Sequence, residues 1–251
     1  MAGLDNNVIF LLRGDEFKDS SPSKTPITTN TLASSQIVQE NNNGVDIKCI
    51  DFNNTNYMSF TFDSTFLKKP FTIDWWEKDA EGVTNSGTSA LFTNVTGATK
   101  TMSFAISTWN SPRTALACSS DNASWDIVSS VSIAYNIYGR WVHRAVVFDG
   151  KSYKAYEDGT LLKTFQSSKT CYTPLNTFQM GRWRQTGVAL NKKIYNFRIS
   201  NIVRWTENFT PQVEPYEEHS KIEIDELSET ATLQEVADKL KEIALVMANK
   251  N

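Results

Sequence analysis

Between Trp141 and Phe165, three short apolar segments (Trp141–Phe148, Tyr153–Tyr156 and Leu161–Phe165) are separated by Asp149-Gly150 and Asp158-Gly159. Asp-Gly supplies the positive backbone φ that tight hairpin turns require, so this stretch reads as a three-stranded antiparallel meander. A meander leaves unpaired edges and an uncovered apolar face, so further strands and a second layer must complete it. The rest of the chain offers them. Val8–Leu12 is apolar on both faces, as a buried strand should be, and Asp19–Asn30 reads as loop. Val45–Phe52 and Tyr57–Phe62 flank an Asn-Asn-Thr-Asn cluster, which predicts a hairpin. Phe71, Ile73 and Trp75 alternate with Thr72, Asp74 and Trp76, giving one firmly apolar face. Further strands are expected at Ala90–Phe92, Met102–Trp109, Thr114–Ser119, Trp125–Val128 and Lys193–Ser200, the last with Tyr195, Phe197 and Ile199 on one face. With no helical period before residue 220, the fold class is all-β, a sandwich or barrel.

The C-terminal part changes character. Glu214–Glu229 is acidic, Thr232 and Glu235 form a capping-box pattern, and Leu233, Val236, Leu240, Ile243 and Met247 repeat at spacings of three and four. The expected organisation is therefore a β-sandwich over 1–213, an acidic linker over 214–229, and a short C-terminal amphipathic helix over 230–251. That helix would serve oligomerisation or docking, which makes a homo-oligomer the expected state.

Charge and composition remove several functions. The net charge is −3 with no basic stripe, so nucleic acid is not an expected partner. Cys49, Cys118 and Cys171 are far apart and odd in number, which suits a reducing cytoplasm rather than a disulfide framework. The first residues show neither a basic n-region nor an apolar h-region, and no run is long enough to span a bilayer, so neither a signal peptide nor membrane insertion is expected. Only two histidines occur, His143 and His219, which excludes a His-rich zinc site.

Several ordered motifs carry a family resemblance. Phe71-Thr72-Ile73-Asp74-Trp75-Trp76, Ser124-Trp125-Asp126-Ile127, Trp141-Val142-His143-Arg144-Ala145-Val146 with Tyr156-Glu157-Asp158-Gly159, and Ile194–Ser200 followed by Arg204-Trp205-Thr206 and Asn208-Phe209-Thr210-Pro211 recur in this order. Together they resemble the concanavalin A-like, laminin-G-like jelly-roll domains of bacteriophage tail and receptor-binding proteins, over about residues 7 to 213. The resemblance implies a two-sheet antiparallel sandwich and a non-catalytic module of a phage or prophage virion, made in the bacterial cytoplasm, that binds a host-surface glycan or cell-wall polymer. The alternative is a structural or decoration protein contacting other virion proteins.

The remaining motifs resolve into turn and surface chemistry. Glu223-Ile224-Asp225 is similar to the acid-bearing strand of sandwich glycosidases, but Ser228 stands where the third acid is needed, so a solvated charge run is preferred and no catalytic residue is assigned. Arg13-Gly14-Asp15 follows a buried strand and reads as a turn. His143 reads as a structural histidine, and the sequons at Asn53, Asn94, Asn122 and Asn208 carry no weight without export. No cofactor is expected. Calcium has no recognised loop, and Asp121, Asn122, Asp126, Asp63 and Asp79 read as turn residues. Sugar recognition needs a flat apolar ring with planar polar groups beside it, which points to Trp109 and Asn110 before one turn and to Arg182, Trp183 and Arg184 after Gly181.

Overall fold

The computed structural model of the chain describes residues 5–53, 56–79, 88–94, 102–109, 113–135, 139–173, 175–183, 190–216 and 241, and Asn6–Tyr216 form one compact unit. Most of the expected linker and the expected helix, with Glu223-Ile224-Asp225, lie outside the described residues. The strands in chain order are β1 (Val8–Leu12), β2 (Ile27–Asn30), β3 (Ile37–Asn42), β4 (Val45–Phe52), β5 (Tyr57–Thr61), β6 (Phe71–Asp79), β7 (Thr88–Thr93) and β8 (Phe104–Trp109). They continue with β9 (Arg113–Cys118), β10 (Val128–Tyr135), β11 (Val142–Phe148), β12 (Ser152–Glu157), β13 (Thr160–Gln166), β14 (Thr177–Met180) and β15 (Lys192–Ser200). No described helix is long and apolar enough to cross a membrane.

Two antiparallel sheets result. The eight-stranded sheet runs β13-β12-β11-β6-β15-β4-β3, with β1 also on β15. The seven-stranded sheet runs β10-β9-β8-β7-β14-β5-β2. This is the expected all-β sandwich, and its meander is β11-β12-β13, with Phe148 opposite Tyr153 and Glu157 opposite Thr160. Between the sheets lies a core rich in phenylalanine: Phe10 stacks on Phe60 at 4.4 Å and Phe62 on Phe178 at 4.5 Å between ring centroids.

Four expectations need correction. The segments Val45–Phe52 and Tyr57–Phe62 do not form a hairpin: β4 pairs with β3 and β15, whereas β5 pairs with β2 and β14. The link between them crosses from sheet to sheet, so Ile50 and Phe52 meet Met58 and Phe60 in the core rather than along a ladder. The true partner of β4 is β3, joined through Asn43-Gly44, both at positive φ. Within Asp19–Asn30, residues Ile27–Asn30 form edge strand β2. Trp125 lies before its strand, because Asp126 accepts from Ser120 N at 2.7 Å and Asp121 from Ala123 N at 2.8 Å, curling this loop until Val128. Lastly, Tyr195 faces away from the core while Phe197 and Ile199 face into it, since an irregularity at Asn196 (φ 49°) inverts the alternation.

Strand β6 is buried on both faces rather than one. The cause is the closing segment 201–216, which straps the outer face of the eight-stranded sheet. Trp76 donates to Gln212 O at 2.9 Å, Tyr195 to Val213 O at 3.0 Å, and Trp205 stacks on Phe209 at 3.8 Å. Under the strap, Arg198 grips Asp74 through Nε and Nη2 at 2.9 and 3.1 Å, and Tyr216 donates to the same carboxylate at 3.0 Å. Burial alone would raise Asp74, but the Arg198 charge and the His143 contact outweigh it and hold the carboxyl low.

Candidate functional site

Charge is distributed unequally between the two sheets, and that inequality locates the site. On β6, Glu77 and Asp79 project into the sandwich on the same side as Trp75. Glu77 accepts from Trp75 Nε1, Thr114 Oγ1 and Arg144 Nε at 2.9–3.0 Å, with Lys192 Nζ at 3.3 Å. Asp79 pairs with Lys192, and Arg144 also with Glu157. Burial pushes both acids up; the Lys192 and Arg144 charges override it at Glu77, which is lowered, whereas Asp79 stays raised. These groups are buried and mutually satisfied, so they hold structure and offer nothing to a ligand.

The seven-stranded sheet is the reverse. Its strands contain no Asp, Glu or Lys, and Arg113 is their one charged residue. Several residues of its central strands that face away from the core are small: Ala90, Ala105 and Ala115 are 0% exposed and Ser107 and Ala117 3%. Trp125 comes from the loop after β9 and Trp183 from the segment after β14, with β7 and β8 between these strands. Their rings nevertheless approach to 6.4 Å at 45°, and both are half-buried. Beside them Arg182 lies over the Tyr57 ring, 4.4 Å from its centroid. Gln179 Oε1 and Arg182 Nε are buried without a hydrogen-bond partner among the described residues. An unpaired buried polar atom is costly, and a bound polar molecule relieves it.

Of the expected binding residues, Arg182 and Trp183 belong to this face. Trp109 ends β8 opposite Thr88, at the end of the sheet where Gly181 N donates to Ala90 O at 2.9 Å, so it shares that end with Arg182. Asn110 and Arg184 lie outside the described residues. Sequence reasoning missed Trp125, which it took for a strand residue, and Gln179, whose strand it did not recognise. The alternation in Thr177-Phe178-Gln179-Met180, with Phe178 and Met180 inward, was the available signal.

The remaining motifs are structural. His143 is buried, ringed by Trp76, Trp205 and Phe209 and 3.5 Å from Asp74. Arg13 pairs with Asp15 across the turn. Asn94, Asn122 and Asn208 accept from backbone N–H groups at 2.9–3.1 Å. Asp63 accepts from Thr65 N, and no metal-binding group of three or more acids, histidines or cysteines occurs among the described residues.

A family model described as the concanavalin A-like lectin/glucanases superfamily, of laminin-G type, matches residues 52–208. No curated protein matches the sequence. Among solved structures, the binding domain of Paraclostridial Mosquitocidal Protein 1 is 12% identical with a TM-score of 0.59, covering 79% of this chain and 49% of that one. The binding domain of botulinum neurotoxin DC, in complex with rat synaptotagmin II, is 13% identical at TM-score 0.58, with 79% and 49% covered. The same toxin's binding domain in complex with SialylT is 12% identical at 0.57, with 78% and 48% covered. The chain thus spans about half the length of these binding domains, and the likeness is one of fold.

Proposed function

Since the chain belongs to the concanavalin A-like lectin/glucanase superfamily, we propose that it is a non-catalytic module that binds saccharide on the outer face of its seven-stranded sheet. One observation carries this reading: the half-buried Trp125–Trp183 pair, reached from β14, whose Gln179 Oε1 has no hydrogen-bond partner among the described residues. Indole faces take the C–H side of a sugar ring, and a planar amide takes its hydroxyls. Glycosidases of this architecture need two carboxylates flanking the scissile bond, and the described strands of this face have none. The binding domains of similar fold, one of them in complex with SialylT, are consistent with a recognition role.

The setting we propose is the virion of a phage or prophage, where the module would attach to host-surface glycan or cell-wall polymer. Its support is the motif resemblance of residues 71–76, 141–159 and 194–211. Wild-type protein is expected to label isolated host cell wall or a glycan array. Trp183→Ala and Trp125→Ala should each weaken that binding at least about tenfold, a loss of roughly 1.4 kcal/mol, while leaving the circular dichroism unchanged. Binding only to tail or capsid proteins, with no saccharide recognised, would overturn the proposal in favour of a structural virion role.

A further inference from the structure

The arginines near this site and elsewhere differ in one respect. Arg13, Arg140, Arg144 and Arg198 each pair with a carboxylate: Asp15, Asp158, Glu77 and Asp74 respectively. Arg182 pairs with none among the described residues. Its Nε is buried with no acceptor among the described residues, while its guanidinium carbon lies 4.4 Å from the Tyr57 ring centroid. A guanidinium is always charged, and a buried N–H without an acceptor is a deficit that folding alone leaves uncorrected. Contact with the Tyr57 ring restrains the guanidinium before any ligand arrives.

We propose that Arg182 reads an oxyanion carried by the saccharide, so that the ligand class is an acidic sugar bearing a carboxylate or a phosphate. This deepens the saccharide-binding reading and rests on it. Four further features agree. The strands of the face hold no Asp, Glu or Lys, so an anion approaching it meets no fixed negative charge from them. Arg113, their single charged residue, heads β9 at the end of the sheet where Arg182 follows β14. Trp183 is the next residue along the chain, and its ring meets Trp125, so a ring face and an anion reader stand side by side. The chain as a whole is acidic, at −3, so strands without carboxylates, next to an arginine with no carboxylate partner among the described residues, are a local feature rather than part of a general excess of positive charge.

The test is titration calorimetry of the full chain with three probes: a carboxylated oligosaccharide, the same oligosaccharide with its carboxyls reduced, and a phosphate-bearing wall polymer. An acidic probe should bind at least about tenfold more tightly than the neutral one, with the advantage shrinking as salt is raised. The better of the two acidic probes identifies the source of the oxyanion. Arg182→Gln should abolish the preference for the acidic probes, whatever its effect on neutral affinity, and Arg182→Lys should restore part of it. Equal affinity for neutral and acidic probes, or a preference that survives Arg182→Gln, would overturn the anion reading and leave saccharide binding standing. Failure of every saccharide to bind the wild-type chain would remove both.

Discussion

At the residue scale, the decisive groups are the charges buried against expectation. Asp74 sits at the centre of β6 with Arg198, His143 and Tyr216 converging on it. Arg198→Met should cost about 3–5 kcal/mol in denaturant unfolding, because it strands a buried carboxylate; a loss below about 1 kcal/mol would show that the pair contributes little to stability. Acid titration supplies a second check. Asp74 and Glu77 are lowered in the folded state, so their stabilisation is present above the ordinary carboxylate range, near pH 4, and is lost as the pH falls through the depressed values. Asp79 is raised and acts with the opposite sign, its contribution fading as pH rises. With two groups against one, the thermal midpoint should hold from about pH 7 to 5 and drop below about pH 4. Sequence alone hinted at this cluster, since Glu77 and Asp79 continue the alternation that puts Phe71, Ile73 and Trp75 inward, but nothing in a single strand names its cationic partners. Arg182 and Trp183 were legible as an arginine and an aromatic after a glycine; Trp125 was not, because proximity across β7 and β8 has no trace in local pattern.

At the scale of elements, turn chemistry was the most readable feature, although identical turns proved unequal. Asp149-Gly150 and Asp158-Gly159 both close hairpins of the meander, with glycine φ of 88° and 77°. A Cβ on Gly150 meets nothing within 4 Å, whereas one on Gly159 would lie 1.7 Å from Phe209 O in the strap. Gly150→Ala should therefore cost about 1 kcal/mol, the backbone strain alone. Gly159→Ala should cost clearly more and loosen the strap, read as faster hydrogen exchange at Phe209, whose N–H donates to Gly159 O at 2.9 Å. Equal losses would mean that the strap yields freely. Pairing was harder to read than the existence of strands. The link between β4 and β5 is short enough for a hairpin, but a short link also fits an arch between sheets, and period-2 alternation looks the same in both. The irregularity at Asn196 was likewise hidden, because it reverses faces without changing composition.

At the scale of the molecule, the expectation of two stacked antiparallel sheets was correct because it rested on many agreeing local signals rather than on any one pairing. One prediction belongs at this scale and derives from the sequence of the C-terminal seam. Removing residues 228–251 should lower the mass measured by light scattering and leave the β-rich circular dichroism intact; an unchanged mass would dismiss that seam as an assembly device. Affinity for a multivalent surface should fall in parallel, since weak sites gain by linkage. The point where the sandwich ends has a mechanical meaning as well. Tyr216 is its last residue, and its hydroxyl is tied to Asp74 on β6, which lies between β11 and β15. Tension entering from the following chain would thus be delivered to the middle of the broader sheet rather than to a fraying margin, a sound mooring for any adhesive exposed to flow.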